Sequence, residues 1–201
     1  RYSLLKIDLS NASEVNAAIK KADPDFVLHL AAESHVDRSI EGPRAFIESN
    51  VVGTFNLLES IRVHYTDLTS KRKELFRFLH ISTDEVFGSL GEKGKFNELT
   101  RYDPRSPYSA SKAASDYFVK AWHNTYKLPY LITNCSNNYG PHQHLEKLIP
   151  LTIINSMRGK KTYMHSEGKL IRDWLYVEDH CRAIWMLEEQ GIMNDTYNIG
   201  G

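Results

Sequence analysis

Short apolar runs alternate along this chain with longer stretches in which apolar residues recur every three or four positions. The runs at residues 3–7, 26–30, 76–81 and 129–133 predict buried strands, and the stretches 14–22, 43–65 and 107–126 predict the helices between them. Strands that alternate with helices imply right-handed crossovers, so the fold class is α/β, a doubly wound parallel sheet covered on both faces. After Gly140 the rhythm changes: Pro141, Pro150, Gly159 and Gly168 interrupt shorter elements before a helix at 177–189 and a last strand at 196–199. The expected division is therefore a main domain over residues 1–139 and part of a substrate-binding elaboration over 140–201, with segments returning to the main sheet. The polar residues 66–74 predict a solvated connection.

Ligands of such sheets lie beyond the carboxyl ends of the strands. Asp8, residues 31–38, residues 82–85 and residues 136–139 fall at four successive strand ends and are expected to face one crevice.

Composition narrows the function classes. A chain of 201 residues that is 41% hydrophobic can bury one substantial core. Its 25 basic and 25 acidic residues balance, so no overall field favours nucleic acid or an anionic membrane. The two cysteines, Cys135 and Cys181, are too few for a disulfide scaffold, and no apolar run is long enough to cross a bilayer. A reduced cytoplasm is the expected setting. The chain begins at Arg1 within a predicted strand, so a longer protein is expected around it.

Two segments carry the candidate chemistry. Tyr108 and Lys112 stand four residues apart on a predicted helix, hence on one face and about one turn from each other. A tyrosine ionises near pH 10 and needs a nearby cation to serve as a base at neutral pH. One charge at about 4 Å in an effective dielectric of about 20 is worth roughly 4 kcal/mol, about three pKa units at most. Lys112 could supply it. Thr83, Asp84 and Glu85 end the third predicted strand, offering a hydroxyl and two carboxylates. In an apolar setting one carboxyl can act as an acid while the other acts as a base, which is what removing water from adjacent carbons requires. Each segment also has a plainer reading: a YxxxK spacing on an exposed helix, and a carboxylate pair capping a turn.

Residues 30–39, 81–88, 108–112, 134–141, 146–150 and 171–180 together closely resemble the dTDP-glucose 4,6-dehydratase family of the extended short-chain dehydrogenase/reductases. The resemblance implies a Rossmann-like fold and a lyase that uses tightly held NAD to convert dTDP-glucose to the 4-keto-6-deoxy sugar. Tyr108 and Lys112 would serve the oxidation at carbon 4, Thr83 would bind the 4-oxygen, Glu85 would remove the carbon 5 proton and Asp84 would protonate the leaving 6-hydroxyl. NAD would lie along Asp8, Leu9, Leu30, Ala31, Ala32, Ser34, Ser49, Tyr108, Lys112 and Asn138. The nucleotide sugar would meet Ser34, Thr83, Asn137, Lys147, Leu148, Tyr163, His165 and Arg172. A forked or point cation suits a diphosphate, and Lys147 and Arg172 offer both. The resemblance also implies a homodimer through the helices at 43–65 and 107–126. The family's glycine-rich phosphate loop, first strand and first helix would precede Arg1, and its closing segment would follow Gly201, so these residues alone are expected to bind NAD poorly. His165 stands where the family usually has a tyrosine near the base, which leaves the nucleotide preference open.

Other residues have plainer expectations. His142, His144 and Glu146 have loop spacing, and no metal is expected. His35 is expected to order a loop, and Cys135, Cys181, Trp122, Trp174 and Trp185 to pack. The alternatives kept are another nucleotide-sugar 4,6-dehydratase, a 4-epimerase, which has no use for Asp84 plus Glu85, and a non-catalytic NAD-binding scaffold.

Overall fold

The computed structural model describes residues 2–91, 93–162 and 171–201. In chain order its elements are α1 (Ala12–Ala22), β1 (Phe26–His29), α2 (Val36–Glu41), α3 (Pro43–Phe46), a π-helical segment (Ile47–Val52), α4 (Gly53–Asp67), α5 (Ser70–Leu75), β2 (Arg77–Thr83), a 3₁₀ turn (Asp84–Phe87) and α6 (Pro107–Tyr126). Then come β3 (Leu131–Cys135), β4 (Asn137–Tyr139), α7 (Leu148–Met157), β5 (Trp174–Tyr176), α8 (Val177–Gln190) and β6 (Asp195–Ile199).

The strands β1, β2, β3 and β6 form one parallel sheet in the order β1-β2-β3-β6, and β4 and β5 form a separate parallel pair. The α/β class and the parallel sheet expected from the alternation are therefore present. On one face Leu58 and Ile61 of α4 and Val119 of α6 meet Phe78 and Ile132 in the main core. On the other, Ile184 of α8 meets Leu79 and Leu131. Each such side chain taken fully out of water contributes about 1.5–3 kcal/mol.

Local chemistry sets the helix ends. Asn11 accepts from the amides of Ser13 and Glu14 to start α1, and Asp23 in the left-handed region ends it. Ser106 and Ser109 exchange hydrogen bonds as a capping box ahead of Pro107, and Lys127 in the left-handed region ends α6. The start of α6 fixes where its functional side chains point.

Four expectations are corrected. Residues 3–7 form no strand: they find no ladder partner, and Tyr2 and Leu4 stay 86% and 73% exposed. Only Ile7 and Leu9 reach the core, and Asn56 Nδ2 holds the Leu9 carbonyl at 2.9 Å. The helix expected at 43–65 is three pieces. Its π-helical segment turns Asn50 inward, where the amide bonds Ser111 Oγ at 2.8 Å and both backbone groups of Glu33. The supposed connection at 66–74 contains α5, capped by Thr69 and tied down by Arg72 to Asp23 and Asp25. Cys181 and Trp185 lie on the outer face of α8 rather than in a core.

Candidate active site

The parallel register sets Thr83, the end of β2, level with Cys135, the end of β3, while β1 ends at His29, level with His80 inside β2. Residues 30–34, 84–85 and 136–138 thus leave the sheet along one edge. Thr83 is buried and its Oγ1 accepts the Glu85 amide at 3.2 Å, which starts the 3₁₀ turn carrying Asp84 and Glu85. The Gly88 amide closes that turn on the Glu85 carbonyl at 3.3 Å, with Gly88 at φ +87°.

Tyr108 and Lys112 project from the first turns of α6 into the same region and are only 9% and 4% exposed. Ser39 Oγ receives the Tyr108 amide at 3.2 Å, and Phe46 meets the phenol ring edge-on. Lys112 Nζ donates to the Ile81 carbonyl at 2.8 Å.

Burial, joined by the Asp84 carboxylate, holds the Glu85 carboxyl above its ordinary value, while Arg172 and Lys147 oppose this. Burial likewise raises Asp84, with the Thr83 hydroxyl opposing. Both carboxyls are thus biased toward the proton-bearing form, as an acid in water loss needs. The Tyr108 phenol departs from expectation: burial and then the Glu85 charge raise it, with the Thr83 hydroxyl opposing, and Lys112 does not lower it. The ammonium is turned to the Ile81 carbonyl, and burial is the largest influence on the phenol.

Beside this cluster an open cleft of about 540 Å³ is lined by Lys6, Ile7, Asp8, Leu9, Ala31 and Ser49. Four residues assigned to the cofactor are therefore together. Leu30 and Ser34 are exposed and Ala32 half-buried on the loop that borders it. The cleft has the volume of a small-molecule site, with apolar walls for a ring and the Asp8 carboxylate and Ser49 hydroxyl for polar groups, so the residues fit an adenosine moiety.

Lys147 Nζ donates to the Ser34 carbonyl at 3.4 Å, and Arg38 pairs with Glu146 at 2.5 Å. These contacts join the loop after β1 to the start of α7. Lys147 caps α7 without a side-chain hydrogen bond, so the first amides of that helix, beginning at Leu148, remain available to an anion. Asn137 pairs with Trp174 across β4 and β5, which brings Arg172 close enough to act on both the Asp84 and Glu85 carboxyls. Tyr163 and His165 lie outside the described residues. His142 and His144 gather no cluster: among the described residues no three His, Cys, Asp or Glu side chains could hold a metal.

Several residues around the site were not legible as functional. His180 Nδ1 meets Asn138 Oδ1 at 2.7 Å and fixes the amide, whose Nδ2 donates to the Ser136 carbonyl at 3.1 Å. Asp116, fully buried, gathers Ser82 and Tyr102 beneath Lys112's helix. The Cys135 thiol, pushed up to about 11 by burial, donates to the Ser82 carbonyl. His35 does order its loop, accepting the Arg38 amide at the start of α2.

The pattern of a protein family described as GDP-mannose 4,6 dehydratase matches residues 1–201, the whole chain. The chain belongs to that family. Among curated relatives it is 55% identical over 200 residues to a dTDP-glucose 4,6-dehydratase of Xanthomonas campestris pv. campestris, covering 100% of this chain and 57% of the relative. A crystal structure of dTDP-glucose 4,6-dehydratase from Bacillus anthracis in complex with NAD superposes with a TM-score of 0.86 at 41% identity, over 100% of this chain and 59% of that one. One from Streptomyces venezuelae with NAD bound gives 0.88 at 40% identity, over 97% and 57%. The chain thus spans somewhat over half the length of the relatives it matches.

Proposed function

We propose that the protein containing this chain is an NAD-dependent hydro-lyase that converts dTDP-glucose to dTDP-4-keto-6-deoxyglucose. The observation that carries this reading is the convergence of Thr83, Asp84 and Glu85 with Tyr108 and Lys112 at one sheet edge, both carboxyls raised by burial. A 4-epimerase needs the phenol and the lysine but not a neighbouring carboxyl acid and carboxylate base.

NAD would be held by Asp8, Leu9, Ala31 and Ser49 in the cleft, bordered by Leu30, Ala32 and Ser34, and reach Tyr108, Lys112 and Asn138. When bound it would accept a hydride from carbon 4 and return it to carbon 6. Tyr108 Oη takes the proton of the 4-hydroxyl, and Thr83 Oγ1 hydrogen-bonds the same oxygen. Burial keeps that phenol protonated in the protein alone, so deprotonation calls for positive charge from Lys112 and the bound cofactor. The 4-ketone acidifies the hydrogen on carbon 5, which a Glu85 carboxylate oxygen removes, while an Asp84 carboxyl oxygen protonates the departing 6-hydroxyl as water. Glu85 then returns its proton to carbon 5, and the proton gained by Tyr108 balances the one Asp84 gave. Lys147, Arg172 and the Leu148 end of α7 would take the diphosphate, and Asn137 the sugar side.

The reading extends to residues 1–139 as the NAD-binding part, 140–201 as part of the substrate region, a homodimer and a cytoplasmic setting. No described helix is long and apolar enough to cross a membrane, and the aromatic face shared by α4 and α6 offers a second copy a place to dock. The test is incubation of the full-length protein with NAD and dTDP-glucose, followed by mass analysis. A product lighter by one water supports the reading. Unchanged mass with inversion at carbon 4 would replace it with an epimerase, and no conversion would reject this substrate.

A further inference from the structure

Asp116 follows Lys112 by one helical turn on α6, and its side chain is 0% exposed. Oδ2 accepts from Ser82 Oγ of β2 at 2.8 Å, from Tyr102 Oη of the loop before α6 at 2.9 Å and from Asn134 Nδ2 of β3 at 3.5 Å. Three neutral donors from three elements fix the carboxylate without cancelling its charge. Oδ1 lies 3.2 Å from His80 Nε2, yet among the described residues no donor is aligned on it.

A carboxylate held out of water needs a cation within reach. Two imidazoles are near. His80 faces Asp116 from β2, and His29 of β1 lies with its ring centroid 5.1 Å from that of His80 while its Nε2 bonds Thr54 Oγ1. Burial lowers both and the Lys112 charge lowers them further, while the Asp116 hydrogen bond and charge draw His80 back up without overcoming burial, so both imidazoles are biased toward the neutral form. The remaining titratable groups that face the pair are the Tyr102 phenol and the Cys135 thiol, both proton-bearing. That leaves Lys112. Burial pushes its ammonium down and the Asp116 charge pushes it back up.

We propose, on the reading of Tyr108 and Lys112 given above, that Asp116 is a positioning residue for the reaction: the buried counter-charge that holds Lys112 as an ammonium. At 4% exposure water cannot stabilise that charge, and a neutral lysine could neither favour the Tyr108 phenolate nor act as a cation toward the ribose. The carboxylate therefore sets the upper pH at which the phenol and lysine work as a unit.

Asp116→Asn keeps the shape and still accepts from Ser82 and Tyr102 through its amide oxygen, but removes the charge. One charge at about 6 Å in an effective dielectric of about 20 is worth about two pKa units. In the full-length protein with NAD, NMR titration of carbon-labelled lysine would follow Lys112 directly, and kcat against pH would follow the reaction. The expected results are a charged Lys112 at neutral pH in the wild type, and a drop of about two units in Asp116→Asn. The alkaline limb of kcat moves down with it. Lower activity with an unmoved Lys112 titration and an unmoved limb would reduce Asp116 to a structural residue and overturn the proposal. Should the variant not fold, the wild-type titration decides: a Lys112 already neutral at pH 7 overturns the proposal and a charged one supports it. A wild type that makes no 4-keto product refutes the substrate reading, while the Lys112 titration still tests the counter-charge.

Discussion

Glu85 sits where a small substrate and two cations would meet, and its chemistry and its cost to the fold are linked. Glu85→Gln is expected to lower the rate of water loss by about 10²–10⁴. NAD and dTDP binding should survive, as calorimetry would show. The same variant makes a stability prediction with a definite sign. The folded carboxyl is raised above its unfolded value, so the native state holds a proton that the unfolded chain releases, and stability falls as pH rises through that interval. Glu85→Gln should therefore raise Tm over wild type at pH 7 and give no gain below pH about 4, where both states are protonated. The pairing of Tyr108 with Lys112, and of Asp84 with Glu85, was legible because spacing and strand-end position are properties of sequence. Asp116 was not: a carboxylate four residues beyond a lysine looks like an exposed helix pair until Ser82, Tyr102 and Asn134 are seen to close over it. His180 is equally silent, since its link to Asn138 crosses 42 residues.

The 3₁₀ turn from Asp84 to Phe87 is only four residues long and holds both carboxyls of the candidate site. Its closing Gly88 has φ +87° and ψ −134°, and a Cβ there would come within 2.5 Å of the Asp103 carbonyl oxygen. Gly88→Ala is expected to cost about 1–3 kcal/mol from the backbone alone. That corresponds to a Tm lower by roughly 3–10 °C, with a loss of kcat as the carboxyls shift. A thermal melt and a rate measurement on the same sample would check both. Among the larger elements, β2 and α6 were readable because each is long and carries a clean period or cap. The expected strand at residues 3–7 failed because alternation marks a face and not a partner, and pairing is a property of the neighbour. The π-helical segment was hidden for a related reason: Asn50 looks like a polar surface residue, and only its bonds to Glu33 and Ser111 explain why the helix widens around it.

Across the whole molecule, α4 and α6 leave an aromatic seam on the surface: Phe55 and Tyr126 both meet Trp122 with ring centroids 5.7 Å apart, and Arg62 lies over Tyr126. Phe55, Val63 and Tyr126 remain exposed there. If this is the dimer face, Phe55→Arg with Val63→Glu should convert the full-length protein to a monomer in sedimentation while leaving its secondary structure intact; an unchanged dimer would place the interface elsewhere. The sheet itself was legible only in part. Its parallel character followed from the alternation, but the neighbour of β3 did not, because β6 is the last strand of the chain. That arrangement has a consequence for the chain as it is made. The β3 edge waits for a partner roughly 60 residues downstream, which at about 5–20 residues per second is on the order of 3–12 s of synthesis. During that interval Leu79 and Leu131 lack the Ile184 helix that covers them, and the open edge of β3 is free to pair with another nascent chain. Yield in the cell should therefore depend on translation speed between residues 136 and 199 and on chaperone supply, even when the finished protein is stable.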